Sequence, residues 1–282
     1  MSTAIVAGEA VLDRTPLLSA HIGYLFNELP LAERMKTAAE TGFTAVEHPQ
    51  PFAIDATEMR KIVDELGLAF AQLAGGAGDA RKGEKGLASL PGREADFRAS
   101  FDKAVDYASI VGAPYVHPMA GVPGDADPAR AHDVYLENIR YAVERTANTG
   151  IKVLIEAISS AAVPGYAIST LDKAASVQDS FGPGNIALLV DTFHAAVTNV
   201  DLPIWIATNG NRIGHMHIAD FPGRHEPGTG NIDFDAILQA LTDVGFAGAI
   251  GFEYIPSQST IQSARFLKSW LTRASQRQEV RK

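Results

Sequence analysis

KVLIEAISSAAVPGYAISTLDKAASVQDSFGPGNIALLVDT, residues 152–192, holds two short apolar runs, KVLIEAI (152–158) and IALLVDT (186–192). Between them, TLDKAASVQDSFG spaces its apolar residues by three and four and closes on Gly182. That is the pattern of an amphipathic helix with a glycine C-cap. Both flanking runs are nearly continuous in apolar residues, as expected for strands of a parallel sheet buried on both faces. Each run also carries a carboxylate near its end, Glu156 and Asp191.

The same unit recurs in both directions. Candidate strands are LLSAHI (17–22), FTAVEH (43–48), LAFAQLA (68–74), PYVHPM (114–119), GHMHIAD (214–220) and AIGFEYI (249–255). LAERMKTAAETG, EADFRASFDKAVDYASIVG, AHDVYLENIRYAVERTANTG and FDAILQALTDVGF read as helices between them, and STIQSARFLKSWLTRA closes the series with Ser259 as its expected N-cap. Eight strand–helix units predict an α/β (β/α)8 TIM barrel, and the length is near the ~250 residues usual for it. A doubly wound open sheet would carry a Gly-rich nucleotide loop after its first strand. GYLFNELP (23–30) offers none, so no nucleotide cofactor is expected. One domain spans 1–282, with a lead segment 1–15 and a polar tail 274–282. The Gly-rich stretch GGAGDARKGEKGLASLPGR (75–93) is long enough to be a lid or binding loop.

Composition narrows the function classes. The net charge is −9 and no Lys/Arg cluster precedes the last few residues, which argues against a nucleic-acid partner. Cysteine is absent, so any metal must be held by His, Asp, Glu or Gln. The first residues lack a basic n-region, and no run of about 18 apolar residues exists. A cytoplasmic protein that handles a small molecule, without membrane contact, is the expectation.

In such a barrel the chemistry sits at the C-terminal strand ends. Those ends carry Glu47 and His48, Gln72, His117, Glu156, Asp191 with His194, His215 with His217 and Asp220, and Glu253. Carboxylates are rarely buried without a partner, and no Lys or Arg sits at the other strand ends. Glu156, Asp191, His217 and Glu253 would converge on the barrel axis. They suit a divalent cation such as Mg²⁺, Mn²⁺, Co²⁺ or Zn²⁺, which would relieve the mutual repulsion of three carboxylates. DTFHAA does not read as a clean helix start, so Asp191 is expected as a ligand rather than an N-cap. His215 would share the inward face with His217 and support it. His117 would line the pocket, His225 and Glu226 would pin their loop or face the mouth, and His132 would lie on a helix surface.

VLIEAIS, VPGYAIST, LLVDTFHAA, RIGHMHIADFPGRHEPGTGNIDF and GFEYIP together resemble the hydroxypyruvate isomerase family, within the xylose-isomerase-like sugar isomerases and epimerases. The resemblance is close over about residues 150–256 and one of pattern only before that. It implies a metal at Glu156, Asp191, His217 and Glu253, with Glu156 and Glu253 as the acid/base pair. It implies His194 and Arg224 as substrate contacts, and Glu47 is the one such contact expected from the first half. His217 stands where some relatives carry Gln, which favours a firmly held metal because imidazole is the stronger ligand. The implied reaction interconverts hydroxypyruvate and tartronate semialdehyde through an enediolate. A 2-oxo-tetronate isomerase, a metal-dependent ketose 3-epimerase, an inosose dehydratase and an abasic-site endonuclease are the alternatives. The last would need more histidines at further strand ends. A homodimer or tetramer is expected, with Trp and Leu of FLKSWLTRA at the contact.

Overall fold

The structure, a computed structural model, describes residues 16–268 and residue 270. The expected lead segment 1–15 and tail 274–282 lie outside the described residues. Among the described residues nine strands run parallel: β1 (Leu18–His21), β2 (Ala45–Glu47), β3 (Ala69–Phe70), β4 (Leu73–Gly75), β5 (Tyr115–Pro118), β6 (Lys152–Glu156), β7 (Ile186–Asp191), β8 (Ile213–Ile218) and β9 (Ala249–Phe252). Their order is β3-β2-β1-β9-β8-β7-β6-β5-β4. The expected third strand, LAFAQLA, is broken into β3 and β4. Ala71 N still donates to Val46 O on one side, whereas Ala74 N donates to Pro49 O beyond the end of β2. The first half pairs with β2 and the second with β5. One interrupted segment thus closes the ring, and the protein is a TIM barrel with eight strand positions.

The helices are α1 (Leu31–Thr41), α2 (Ala56–Glu65), α3 (Glu94–Val111), α4 (Pro128–Thr146), α5 (Leu171–Phe181), α6 (Thr192–Val197), α7 (Leu202–Asn209), α8 (Phe234–Asp243) and α9 (Thr260–Ser263). Three were not singled out by spacing, α2, α6 and α7; each starts from an aspartate cap, Asp55, Asp191 and Asp201. DTFHAA is also a helix start, contrary to the sequence reading. Asp191 Oδ1 accepts from the backbone N–H of Phe193 and His194 and caps α6. Ser259 occupies the N-cap position of α9, but its side chain makes no capping hydrogen bond. Among the described residues, no helix is long and apolar enough to cross a membrane.

Alternation along the strands sorts the residues into two cores. Val153, Ile155, Leu188, Val190, Met216, Ile218, Ile250 and Phe252 pack outward under the helices. Leu154, Ala187 and Leu189 form a separate cluster with Tyr115 inside the ring. Period-two geometry then sends Glu156, Asp191, His215 and His217 inward as well. Trp270 and Leu267 are buried, with Trp270 packed against Phe234, Phe252 and Phe266. They close the barrel's own shell and are not the exposed contact expected of FLKSWLTRA. The glycine-rich stretch is also packed: Leu87, Ala88 and Ser89 are buried, and Ser89 Oγ donates to Ala120 O.

Candidate active site

Because every strand is parallel, one end of the barrel collects every strand-end side chain. One carboxylate oxygen each from Glu156, Asp191 and Glu253, and a ring nitrogen of His217, lie within 4.8 Å of one another. Glu156, Asp191 and His217 are buried and Glu253 is half-buried. His217 Nδ1 faces Glu253 Oε2 at 3.6 Å and Glu156 Oε1 at 3.9 Å, and it has no hydrogen-bond partner among the described residues. The donor set is three carboxylates and one imidazole, with an orphaned nitrogen aimed at their centre. That fits a divalent cation of the Mg²⁺, Mn²⁺, Co²⁺ or Zn²⁺ type.

Arg224 reaches the same oxygens from the side. One guanidinium nitrogen is 3.1 Å from Asp191 Oδ2 and also contacts Glu253. The guanidinium lies between two rings, 5.3 Å from the Tyr24 centroid and 5.5 Å from that of Phe193. Its backbone is left-handed, with φ +57, in the loop that follows β8. Asp220 builds that loop. Its Oδ1 accepts from Phe221 N and Ile232 N, and its Oδ2 from Gly228 N and Gly230 N, all at 2.8–3.1 Å. A side chain at 230 would collide with Phe221 O at 2.2 Å, so the closing residue of GRHEPGTG has to be glycine. His225 Nδ1 meets Ile255 O at 2.7 Å, and Glu226 Oε2 accepts from Ser257 N at 3.1 Å. These two residues pin the loop rather than face the centre.

The rest of the ring is completed by histidines. His117 Nδ1 is 3.6 Å from Glu156 Oε2, and His21 Nε2 is 3.3 Å from Glu253 Oε1. His194 is buried, with Nδ1 3.1 Å from Ser159 Oγ. Glu47 takes a different place from the one expected. It is fully buried, with Oε2 2.7 Å from His215 Nε2 and Oε1 3.2 Å from His217 Nε2, and its carboxylate is turned onto those two rings. His21 and Tyr24 were missed in the sequence. His21 ends β1 and satisfies the same strand-end rule as the others. Tyr24 has no such signal, because only the folded loop after β1 brings it to Arg224.

Burial and neighbours drive the two glutamates apart. Burial, then the charge of Glu253, pushes the Glu156 carboxyl up to about 8. Burial alone would raise Glu253 too, but Arg224, His217 and His21 outweigh it and hold Glu253 well below the usual range. Burial also favours neutral His217, yet the charges of Glu47 and Glu253 raise it well above its ordinary value. His117 is pushed down to about 3 by burial and stays neutral. One carboxyl that keeps its proton beside one that does not is a suitable pair for moving a proton.

A family model described as xylose isomerase-like TIM barrel matches residues 35–270. The chain belongs to the xylose isomerase-like TIM barrel family. Within that family it is 36% identical over 259 residues to a 2-oxo-tetronate isomerase of Cupriavidus necator, covering 92% of this chain and all of that one (100%). A human relative named "Putative hydroxypyruvate isomerase" is 35% identical over 263 residues, 90% of this chain and 95% of that protein. A solved structure titled as an AP endonuclease, family 2, from Brucella melitensis superposes with a TM-score of 0.87 at 31% identity. That match covers 90% of this chain and 99% of the other.

Proposed function

We propose that this barrel is an isomerase of a short hydroxy-keto acid, moving a proton between adjacent carbons with Glu156 and Glu253. Hydroxypyruvate, converted to tartronate semialdehyde, is the leading substrate. The observation that carries the reading is the pair of glutamates within one small cluster, at most 4.8 Å between their facing oxygens, with opposite shifts in acidity. Similarity to relatives named as isomerases of such acids supports it.

Glu253, ionised, takes the proton from the hydroxyl-bearing carbon. The electrons pass into the neighbouring carbonyl and give an enediolate. Glu156, protonated, delivers a proton at the adjacent carbon, and the hydroxyl proton of the first carbon passes to the oxygen of the former carbonyl, leaving an aldehyde beside a new hydroxyl; Glu253 then gives its proton to solvent and Glu156 regains one, which resets the pair. Arg224 offers a planar fork of donors to the substrate carboxylate. His194, backed by Ser159, holds a substrate hydroxyl. Tyr24 and Phe193 flank the guanidinium and keep water from it. A divalent cation held by Glu156, Asp191, His217 and Glu253 would supply positive charge where oxyanion character develops.

A four-carbon 2-oxo-tetronate is the second reading, favoured by the 36% identity to an enzyme so named. The test is a panel of hydroxypyruvate, 2-oxo-tetronate and free ketoses, each assayed with Mn²⁺ and with chelator. Turnover of either short acid, lost on chelation, is the expected result. Activity on ketoses alone would replace the proposal with an epimerase.

A further inference from the structure

Glu47, His215 and Gly251 make up a layer directly beneath His217. Glu47 ends β2, His215 and His217 lie on β8, and Gly251 pairs with His217 from β9. A methyl group at 251 would fall 2.1 Å from Glu47 Oε1 and 2.8 Å from His215 Nε2. The missing side chain at that position is the notch into which the carboxylate fits. Glu47 and His215 are completely buried, so bulk solvent does not reach the carboxylate, and the two rings face it at 2.7 and 3.2 Å. Both contacts have hydrogen-bond length, although the ring N–H directions run off the line to the oxygens.

His217 has two ring nitrogens with two different neighbourhoods. Nε2 faces Glu47 and Nδ1 faces Glu156 and Glu253. We infer that Glu47, seated in the Gly251 notch and braced by His215, is a positioning residue. It holds the His217 ring in one orientation with the Nε2 proton toward itself, so that the Nδ1 lone pair is presented to the catalytic cluster. A carboxylate behind a metal-binding imidazole typically fixes both its tautomer and its direction. Glu47, His215 and His217 also offer ligand atoms within 4.8 Å of one another, but the spacing of His215 and Glu47 is that of a hydrogen bond rather than of two donors on one ion. Two bonds of ~2.0–2.1 Å meeting near the tetrahedral angle keep their donors roughly 3.3 Å apart. His215 Nε2 and Glu47 Oε2 are 2.7 Å apart. The inference rests on the proposed cation site at Glu156, Asp191, His217 and Glu253.

The test is Mn²⁺ binding, by calorimetry, to the full chain and to Glu47→Gln, His217→Gln and the double variant, with thermal melts alongside. Wild type is expected to bind one equivalent. Glu47→Gln is expected to bind about 10–100-fold more weakly. In the His217→Gln background the same change should add little, because the ring it orients is gone. A merely structural role would lower affinity equally in both backgrounds, and that result overturns the inference. So does an unchanged affinity in Glu47→Gln, or two equivalents in wild type with one lost in Glu47→Gln. Absence of binding to wild type would sink the cation site itself and this inference with it. If Glu47→Gln fails to fold, the cadmium-loaded wild type with isotope-labelled histidine decides by NMR. Cadmium joined to Nδ1 of His217, with the Nε2 proton retained, is expected; cadmium on Nε2 overturns it.

Discussion

Arg224 places a guanidinium nitrogen 3.1 Å from Asp191 Oδ2 and sets the same nitrogen against Glu253. Those two carboxylates belong to the cluster assigned to a cation. A fixed guanidinium and a dication would then draw on the same lone pairs, so each weakens the other's hold. Arg224→Leu is expected to bind Mn²⁺ about tenfold more tightly, ~1.4 kcal/mol, while turnover falls by roughly 10²–10³ with the loss of a preorganised donor. Calorimetry and steady-state rates check the two halves. Weaker Mn²⁺ binding in the variant would mean that Arg224 supports the cation instead of competing with it.

Glu253→Gln and Glu156→Gln should each cut turnover by about 10²–10⁴ with the melting temperature nearly kept. They should differ in isotope exchange. Glu253→Gln should no longer wash solvent deuterium into the substrate. Glu156→Gln should still exchange the abstracted proton while failing to isomerise. Exchange retained in Glu253→Gln would reverse the two roles.

The raised Glu156 carboxyl makes stability depend on pH. Its proton is held in the fold up to about 8 but only to 4.5 when unfolded. Below 4.5 both states are protonated; as pH rises from there through about 8, ionisation costs the folded state progressively more, so stability falls. Melts in chelator should show that decline between about pH 5 and pH 8. Glu156→Gln should flatten it. A decline unchanged in the variant would assign it to another group.

Asp220 is tested through the loop it organises. Asp220→Ala strips the acceptor from four backbone N–H groups. A loss of ~1–3 kcal/mol in urea unfolding is expected. KM should rise as well, because Arg224 loses its seat. Unfolding loss without a change in KM would separate the loop from substrate binding.

The chain order of strands and helices, and the gathering of polar side chains at the strand ends, were legible in the sequence because both follow from local periodicity. KVLIEAI and IALLVDT show strands by apolar run, and the acids near their ends, Glu156 and Asp191, are ones the fold gathers into a single cluster. Periodicity of two then decides which side chains face inward. The interrupted strand at Gln72 escaped it, since a ladder switch depends on where β2 ends. DTFHAA was misread for a related reason: six residues are too few to show helical spacing, while one carboxylate can cap the helix with one oxygen and face the cluster with the other. Only the closed ring decided the rest. It brought Tyr24 and Arg224 into contact across 200 residues, put Glu47 behind His217, and turned Trp270 inward. Those relationships join segments far apart in the chain, where no spacing rule reaches, and they are fixed by burial and by which neighbour leaves room, as Gly251 does for Glu47.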